Sequence, residues 1–273
     1  MGLRVNTNIS SMNAQRSLAE VTRRLQGNFT RLSSGLRIAT AADDAAGLGI
    51  SERMRSQIRS YTAASRNAQD GISLVQTAEG ALAEVSNILG RMRELAIQAA
   101  NGTLSSADRS TLDTEFQELI LEINRIATTT TFNGVNLLDG TTTSTFIQSG
   151  INAGETITVQ LQDTTAVNLG LVGLAVTDVT QANLSLTPLD GAIDQVTSSR
   201  GTLGSCNNRL LSTISSIANA REALAAAESR IRDVDVAEET ADLTRNTIMQ
   251  QAAVSVLAQA NVQPQLALSL LQG

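Results

Sequence analysis

Two features of this sequence could carry chemistry: the adjacent carboxylates Asp43 and Asp44, and the single thiol of Cys206. Paired carboxylates can divide general-acid and general-base work between them. They need a nucleophile or a titrating neighbour, and the chain has no His and no Lys. That removes the Ser-His-Asp and Cys-His arrangements, His-ligated zinc and the zinc-protease helix motif. A structural place in a turn is the better reading of Asp43-Asp44. The lone Cys206 allows no intrachain disulfide and could be reactive or bridge two copies. It falls among small side chains, which favours a buried small hydrophobe. No catalytic site, metal site or cofactor is read from these residues, and the chain is expected not to be an enzyme.

Composition narrows the partners. All 20 basic residues are Arg, and the net charge of −6 argues against nucleic acid. The charge is uneven: residues 1–60 carry nine Arg against four acids, and the remainder carries 11 Arg against 22 acids. A basic start and an acidic remainder could steer pairing between segments or subunits. No run of 18 apolar residues occurs, so no membrane insertion is expected. The start has no apolar signal core, which points to the cytosol or to export without a cleaved signal. With aromatics at 2%, the core must rest on Leu, Ile, Val and Ala, which suits slender helices packed side by side. Two Pro in 273 residues permit long helices.

The elements follow from periodicity. Leu18, Val21, Leu25, Phe29, Leu32 and Leu36 recur at spacings of three and four, with Val5, Ile9, Met12 and Ala19 as a neighbouring stripe. Met249, Ala252, Ala253, Val256, Leu257 and Ala260 share one face near the other end, and no charge follows Arg245. Two heptad helices lie between. In the first, Tyr61, Ala68, Val75, Leu82, Leu89 and Ala96 form one seam, and Ala64, Gly71, Ala78, Val85, Met92 and Ala99 the other. In the second, Leu189, Val196, Leu203, Leu210, Ile217 and Leu224 are matched by Ala192, Ser199, Cys206, Thr213, Ala220 and Ala227. Small seams allow close backbone approach, with large residues filling the groove. Asn101-Gly102 marks a turn, Ser105 to Asp108 a cap, and Leu112, Phe116, Leu119, Ile123 and Ile126 a third stripe. From Thr128 the signals become Asn133-Gly134, Asp139-Gly140 and two short strand patterns, Phe146-Ile147 and Thr156–Leu161.

The fold expected is mainly α: a long antiparallel bundle or coiled coil, with a small β-hairpin region over about 130–180 at its tip. Residues 1–36 should pair with 240–262, and 57–100 with 185–230. The terminal pair has no third helix to complete its burial. Each buried Leu or Ile is worth about 1.5–3 kcal/mol, so another copy is the natural partner.

These residues resemble the bacterial flagellins. Val5-Asn6-Thr7-Asn8-Ile9 resembles their amino terminus, as does Arg31-Leu32-Ser33-Ser34-Gly35-Leu36-Arg37-Ile38 through Ala42–Leu48. Arg93–Asn101, Phe132-Asn133-Gly134 and Leu137-Leu138-Asp139-Gly140 are similar to their first long helix and hairpin. Asn208-Arg209-Leu210, Ser229–Asp235 and Ala258-Gln259-Ala260-Asn261 continue the likeness through the second half. It covers essentially the whole chain, as a minimal form with only the two core domains.

The resemblance implies a structural subunit polymerising into the extracellular flagellar filament and serving motility, with an inner terminal coiled-coil domain of 1–42 with 235–273 and an outer helical bundle domain of 43–234. It implies other copies of the chain as partners, together with the flagellar type III export apparatus, an export chaperone and the filament cap. It places Leu18, Val21, Leu25, Phe29, Leu32, Leu36, Met249, Val256 and Leu257 on the assembly helices. It also places Arg91, Leu95 and Glu115 where a host Toll-like receptor contacts flagellins, although packing between subunits is the better primary role for them. The alternatives are a hook-filament junction protein and, further off, a secreted membrane-active helical protein, motivated by the uncharged final helix.

Overall fold

The computed structural model describes residues 7–272, with side chains through Val262. The elements run α1 (Ile9–Ser34), α2 (Ala45–Ala99), α3 (Ser106–Thr129), β1 (Thr131–Phe132), β2 (Val135–Asn136), β3 (Ser144–Gln148), β4 (Thr156–Gln160), α4 (Val179–Arg232) and α5 (Val236–Gln272). They form two compact units, one of the chain up to Ser56 with the chain from Ala223, the other spanning Gln57–Glu222. The stripe residue Val5 lies outside the described residues.

In the Gln57–Glu222 unit the heptad seams are the core. Ala68, Val75, Leu82, Leu89 and Ala96 are buried, and so are Ala64, Ala78, Val85, Met92 and Ala99. On α4, Leu189, Val196, Leu203, Leu210 and Ile217 are buried on one seam, and Ala192, Ser199 and Cys206 on the other. Large and small side chains are thus buried together in a core that contains almost no aromatic. Helix α4 begins earlier than its apolar pattern, because the Asp178 carboxylate accepts from the amides of Thr180 and Gln181 and caps it there. Pro188 lies inside α4, where it removes the amide that would reach the Leu184 carbonyl.

Helix α3 starts with a capping box: the Asp108 amide donates to Ser105 Oγ, and the Ser105 amide donates back to Asp108 Oδ2 at 3.0 Å. Its stripe buries Phe116, Ile120, Ile123 and Ala127. Strands β1 and β2 meet across Asn133-Gly134, both at positive φ (49° and 78°), the backbone of a type I′ turn. Strands β3 and β4 pair antiparallel in register Phe146 with Thr158. They lie against the helices: the Asn67 amide donates to the Gln148 carbonyl at 3.1 Å, and Ile157 and Val159 enter the common core. The segment after β4 adds Leu161, Leu169, Leu171 and Val176 to that core without regular structure.

In the other unit α1 and α5 run antiparallel. Asn8 caps α1 by accepting from the Ser11 amide at 3.0 Å, and Asp235 caps α5 by accepting from the Ala237 amide. The apolar stripe of α1 runs on to Leu36, but the helix does not. Gly35 takes φ +71°, its amide caps the Arg31 carbonyl, and the chain leaves the helix there.

Candidate assembly surface

The α1–α5 pair is a short antiparallel coiled coil. On α1 Ser11, Ala14, Leu18, Val21, Leu25, Asn28 and Leu32, at alternating steps of three and four, are buried or half-buried. On α5 the same holds of Glu239, Leu243, Asn246, Gln250, Ala253, Leu257 and Ala260, with the same alternation. The far end is tied by Asn8 Nδ2 donating to the Ala260 carbonyl at 2.7 Å and Ser11 Oγ donating to Asn261 at 2.8 Å.

A polar cluster sits inside this seam. Asn246 Nδ2 donates to Asn28 Oδ1 at 2.8 Å, and Asn28 Nδ2 donates to Glu239 Oε1 at 2.5 Å. The Arg31 guanidinium reaches the same oxygen at 2.8 and 2.9 Å. That hydrogen bond to Glu239 holds Arg31 more basic than an ordinary arginine. Asn28 is only 2% exposed and Asn246 8%, so each amide must find its partner within the pair.

Beyond the cluster the connecting segments cross. Leu36 bridges Asp233, the Arg37 amide donates to the Arg232 carbonyl at 2.7 Å, and the Val234 amide donates to the Gly35 carbonyl. Arg232 Nη1 pairs with Glu52 at 2.6 Å, and this bond is the first cause lowering the Glu52 pKa. Asp43 and Asp44 serve this crossing. Asp43 accepts from the Thr40 amide and hydroxyl at 2.9 Å and from the Ala39 amide at 3.2 Å, which lowers its pKa. Asp44 accepts from the Ala46 and Gly47 amides and starts α2. The two carboxylates hold backbone amides and, through Asp43, the Thr40 hydroxyl.

Of the residues assigned to assembly from sequence, Leu25 is buried, and Leu18, Val21, Leu32, Leu36, Met249 and Leu257 are half-buried. Phe29 and Val256 are not in the seam: they are 58% and 59% exposed. The apolar stripe placed Phe29 inward, but the heptad phase gives that place to Asn28, one residue or about 100° earlier on the helix. Ile9, Met12, Ile248 and Val254 are also more than half exposed. The pair therefore has a closed seam and leaves several large apolar side chains exposed outside it.

Arg91 and Glu115 lie on the surface of the other unit, joined at 2.8 Å, with Glu94 as a second partner of Arg91. Leu95, expected beside them at a receptor contact, is fully buried and offers no surface. It belongs to the inward side of α2, next to the seam residue Ala96. Cys206 is buried against the Thr158 carbonyl, and burial pushes its thiol up. Among the described residues no helix is long and apolar enough to cross a membrane. The polar cluster had one sequence signal: Asn28 and Asn246 fall in phase with the flanking Leu residues.

The chain matches the model of the bacterial flagellin N-terminal helical region over residues 5–143 and that of the C-terminal helical region over residues 186–271. It is 49% identical to a flagellin of Halalkalibacterium halodurans over 270 residues, covering 98% of this chain and 99% of the relative. It is 43% identical to the flagellar filament 30.7 kDa core protein of Treponema maltophilum, with 98% and 99% covered. The crystal structure of Bacillus cereus flagellin superposes with a TM-score of 0.52 at 39% identity, over 56% of this chain and 88% of that one. With helices, hairpins and paired ends now placed, the chain belongs to the bacterial flagellin family, a structural subunit of the flagellar filament built from its own copies.

Proposed function

We propose that the α1–α5 pair is the part of the subunit that joins copies within the filament, as an inner coiled-coil domain of residues 1–42 with 235–273. One observation carries this reading. Phe29, Ile248 and Val256 are large, apolar and more than half exposed on a two-helix pair, and α5 has no charge after Arg245. Large apolar side chains left this exposed ask for a cover, and family membership supplies one, the next subunit. The seam side chains Leu18, Val21, Leu25, Leu32 and Leu257 hold the pair together, Met249 lies beside the seam and Leu36 in the crossing past α1, and Phe29 and Val256 meet the neighbour. Residues 43–234 then form the outer domain. The working chemistry is burial and pairing, with no bond made or broken.

The test is growth on filament seeds. Phe29→Ser with Val256→Ser should stop elongation while leaving the far-ultraviolet dichroism of the soluble chain unchanged. Elongation at the native rate would defeat the reading. Limited proteolysis adds a second arm: both ends should be trimmed in monomers and protected in filaments.

The other partners follow from family membership. Delivery runs through the flagellar type III apparatus with an export chaperone, and growth proceeds beneath a filament cap. Arg91 and Glu115 serve contacts between subunits first and a host Toll-like receptor second. A receptor-reporter assay with soluble Arg91→Ala monomer tests the latter.

A further inference from the structure

The α1–α5 unit carries two charged grooves of opposite sign. One, of about 360 Å³, is lined by Arg23, Arg24, Arg31 and Arg245 against the single carboxylate of Asp242. The other, of about 500 Å³, has seven carboxylates, Asp233, Asp235 and Glu238 among them, against Arg31, Arg37 and Arg230. Arg31 and Asp242 line both, so the grooves are neighbours displaced along the pair. Part of this charge is used internally. Arg31 holds Glu239, Arg24 holds Glu20, Arg245 holds Asp242, and Asp235 caps α5. The side chains of Arg23, Asp233 and Glu238 have no hydrogen bond or ion pair among the described residues.

We infer that the basic groove of one subunit docks on the acidic groove of the next, giving the terminal pair a direction when it stacks. The inference rests on the reading that the α1–α5 unit joins copies. An open filament needs a heterologous contact, two different patches on each copy that fit each other without closing. Apolar surfaces such as Phe29 and Val256 supply affinity but no polarity. A basic groove beside an acidic one supplies polarity: head-to-tail stacking pairs unlike charges, and the reversed orientation juxtaposes like charges. Exposed ion pairs add little affinity, so their effect falls on register and association rate.

Complementation between chains tests this. Arg23→Glu with Arg24→Glu makes one variant, and Asp233→Arg with Glu238→Arg makes the other. Each alone should elongate seeds at least about tenfold more slowly than the parent chain in low salt. A one-to-one mixture should regain most of the parent rate, because each variant now offers what the other lacks. Neutral variants (Arg23→Gln with Arg24→Gln, and Asp233→Asn with Glu238→Gln) guard against misfolding of the reversals. They should lose the salt dependence of growth that the parent shows as the screening length shrinks. Parent-like growth of either reversal alone, a mixture as slow as its components, or neutral variants with unchanged salt dependence overturns the inference. None of these outcomes touches the Phe29 and Val256 experiment, so the two readings fail separately.

Discussion

Asn28 and Asn246 are bonded to each other across the α1–α5 seam, 218 residues apart in sequence, with 2.8 Å between amide nitrogen and carbonyl oxygen. Leu25 and Leu32 lie one half-heptad to either side on α1, and Leu243 and Gln250 on α5. A polar pair in such a seam lowers stability and raises the selectivity of pairing. Asn246→Ala should therefore destabilise the pair by about 1–3 kcal/mol, because it strands the buried Asn28 carbonyl. Replacing both with Leu should be neutral or stabilising. Hydrogen exchange of α1 and α5 amides in filaments would register both effects. Equal loss of protection in the single and double variants would contradict this account.

Gly71 and Ile147 make a second test, in the other unit. A Cβ on Gly71 would lie 3.1–3.4 Å from three atoms of the Ile147 side chain. Alanine gains about 1 kcal/mol of helix propensity over glycine, but overpacking a filled contact costs about 1–3 kcal/mol. All three contacts belong to one side chain anchored on β3, so Ile147 must shift by a few tenths of an ångström against its own packing. Gly71→Ala should be net destabilising in denaturant unfolding, and Ile147→Val should recover part of the loss. A more stable Gly71→Ala chain would show that β3 moves freely.

The response to pH should be flat in the middle and fall on the acid side. With no His, no side chain has an ordinary pKa between about 5 and 8. The Asp43 carboxyl is lowered first by the Thr40 amide, and Glu52 first by Arg232. A carboxylate with a folded pKa below its unfolded value contributes stability above the unfolded value and loses it as pH falls through the folded one. Unfolding midpoints should be level from about pH 6 to 8 and drop below about pH 4. Asp43→Asn and Glu52→Gln should each shallow that drop. A comparable change between pH 6 and 8 would count against the scheme.

Cys206 should be silent in the folded chain. Burial raises its thiol pKa, and Arg209 opposes this only in part. Little thiolate forms at neutral pH, and the sulfur lies against the Thr158 carbonyl. A bulky maleimide should label it only after denaturant is added; complete labelling of native chain would place it on the surface.

These tests follow the line between what the chain declares locally and what it fixes at a distance. The seams of α2 and α4 were legible because each keeps its heptad phase for six repeats, long enough for period alone to choose the buried face. The hairpin at Asn133-Gly134 was legible because few residue pairs tolerate two positive φ values in succession. Asn28 was not, since apolarity favours Phe29 and the deciding partners, Glu239 and Asn246, lie more than 200 residues away. Leu95 was misplaced for the opposite reason: the likeness in Arg91–Leu95 fixed its position along α2 but not the side it faces. The core segment from Leu161 to Val176 has no period, so nothing local marked it as buried.

Gly35 and Gly47 bracket the crossing of the connecting segments and should fail in different ways. At Gly35 an added Cβ meets nothing within 4 Å, so the cost of Gly35→Ala is the φ of +71° alone, about 1–2 kcal/mol. At Gly47 the Cβ would lie 2.5 Å from Asp44 Oδ2 and 2.8 Å from Ile38 Cδ1. The clashing oxygen shares its carboxylate with Oδ1, which holds the amides of Ala46 and Gly47, so moving it strains that cap, and Ile38 is buried at 2% exposure. Gly47→Ala must therefore break the α2 cap or displace a buried side chain, at about 1–3 kcal/mol for overpacking plus about 1 kcal/mol for the cap. The larger loss should thus come from the glycine with the more ordinary backbone. Paired thermal melts of the two variants decide the order. If Gly35→Ala proves the more damaging, the crossing is held by the α1 cap and not by the Asp44 turn.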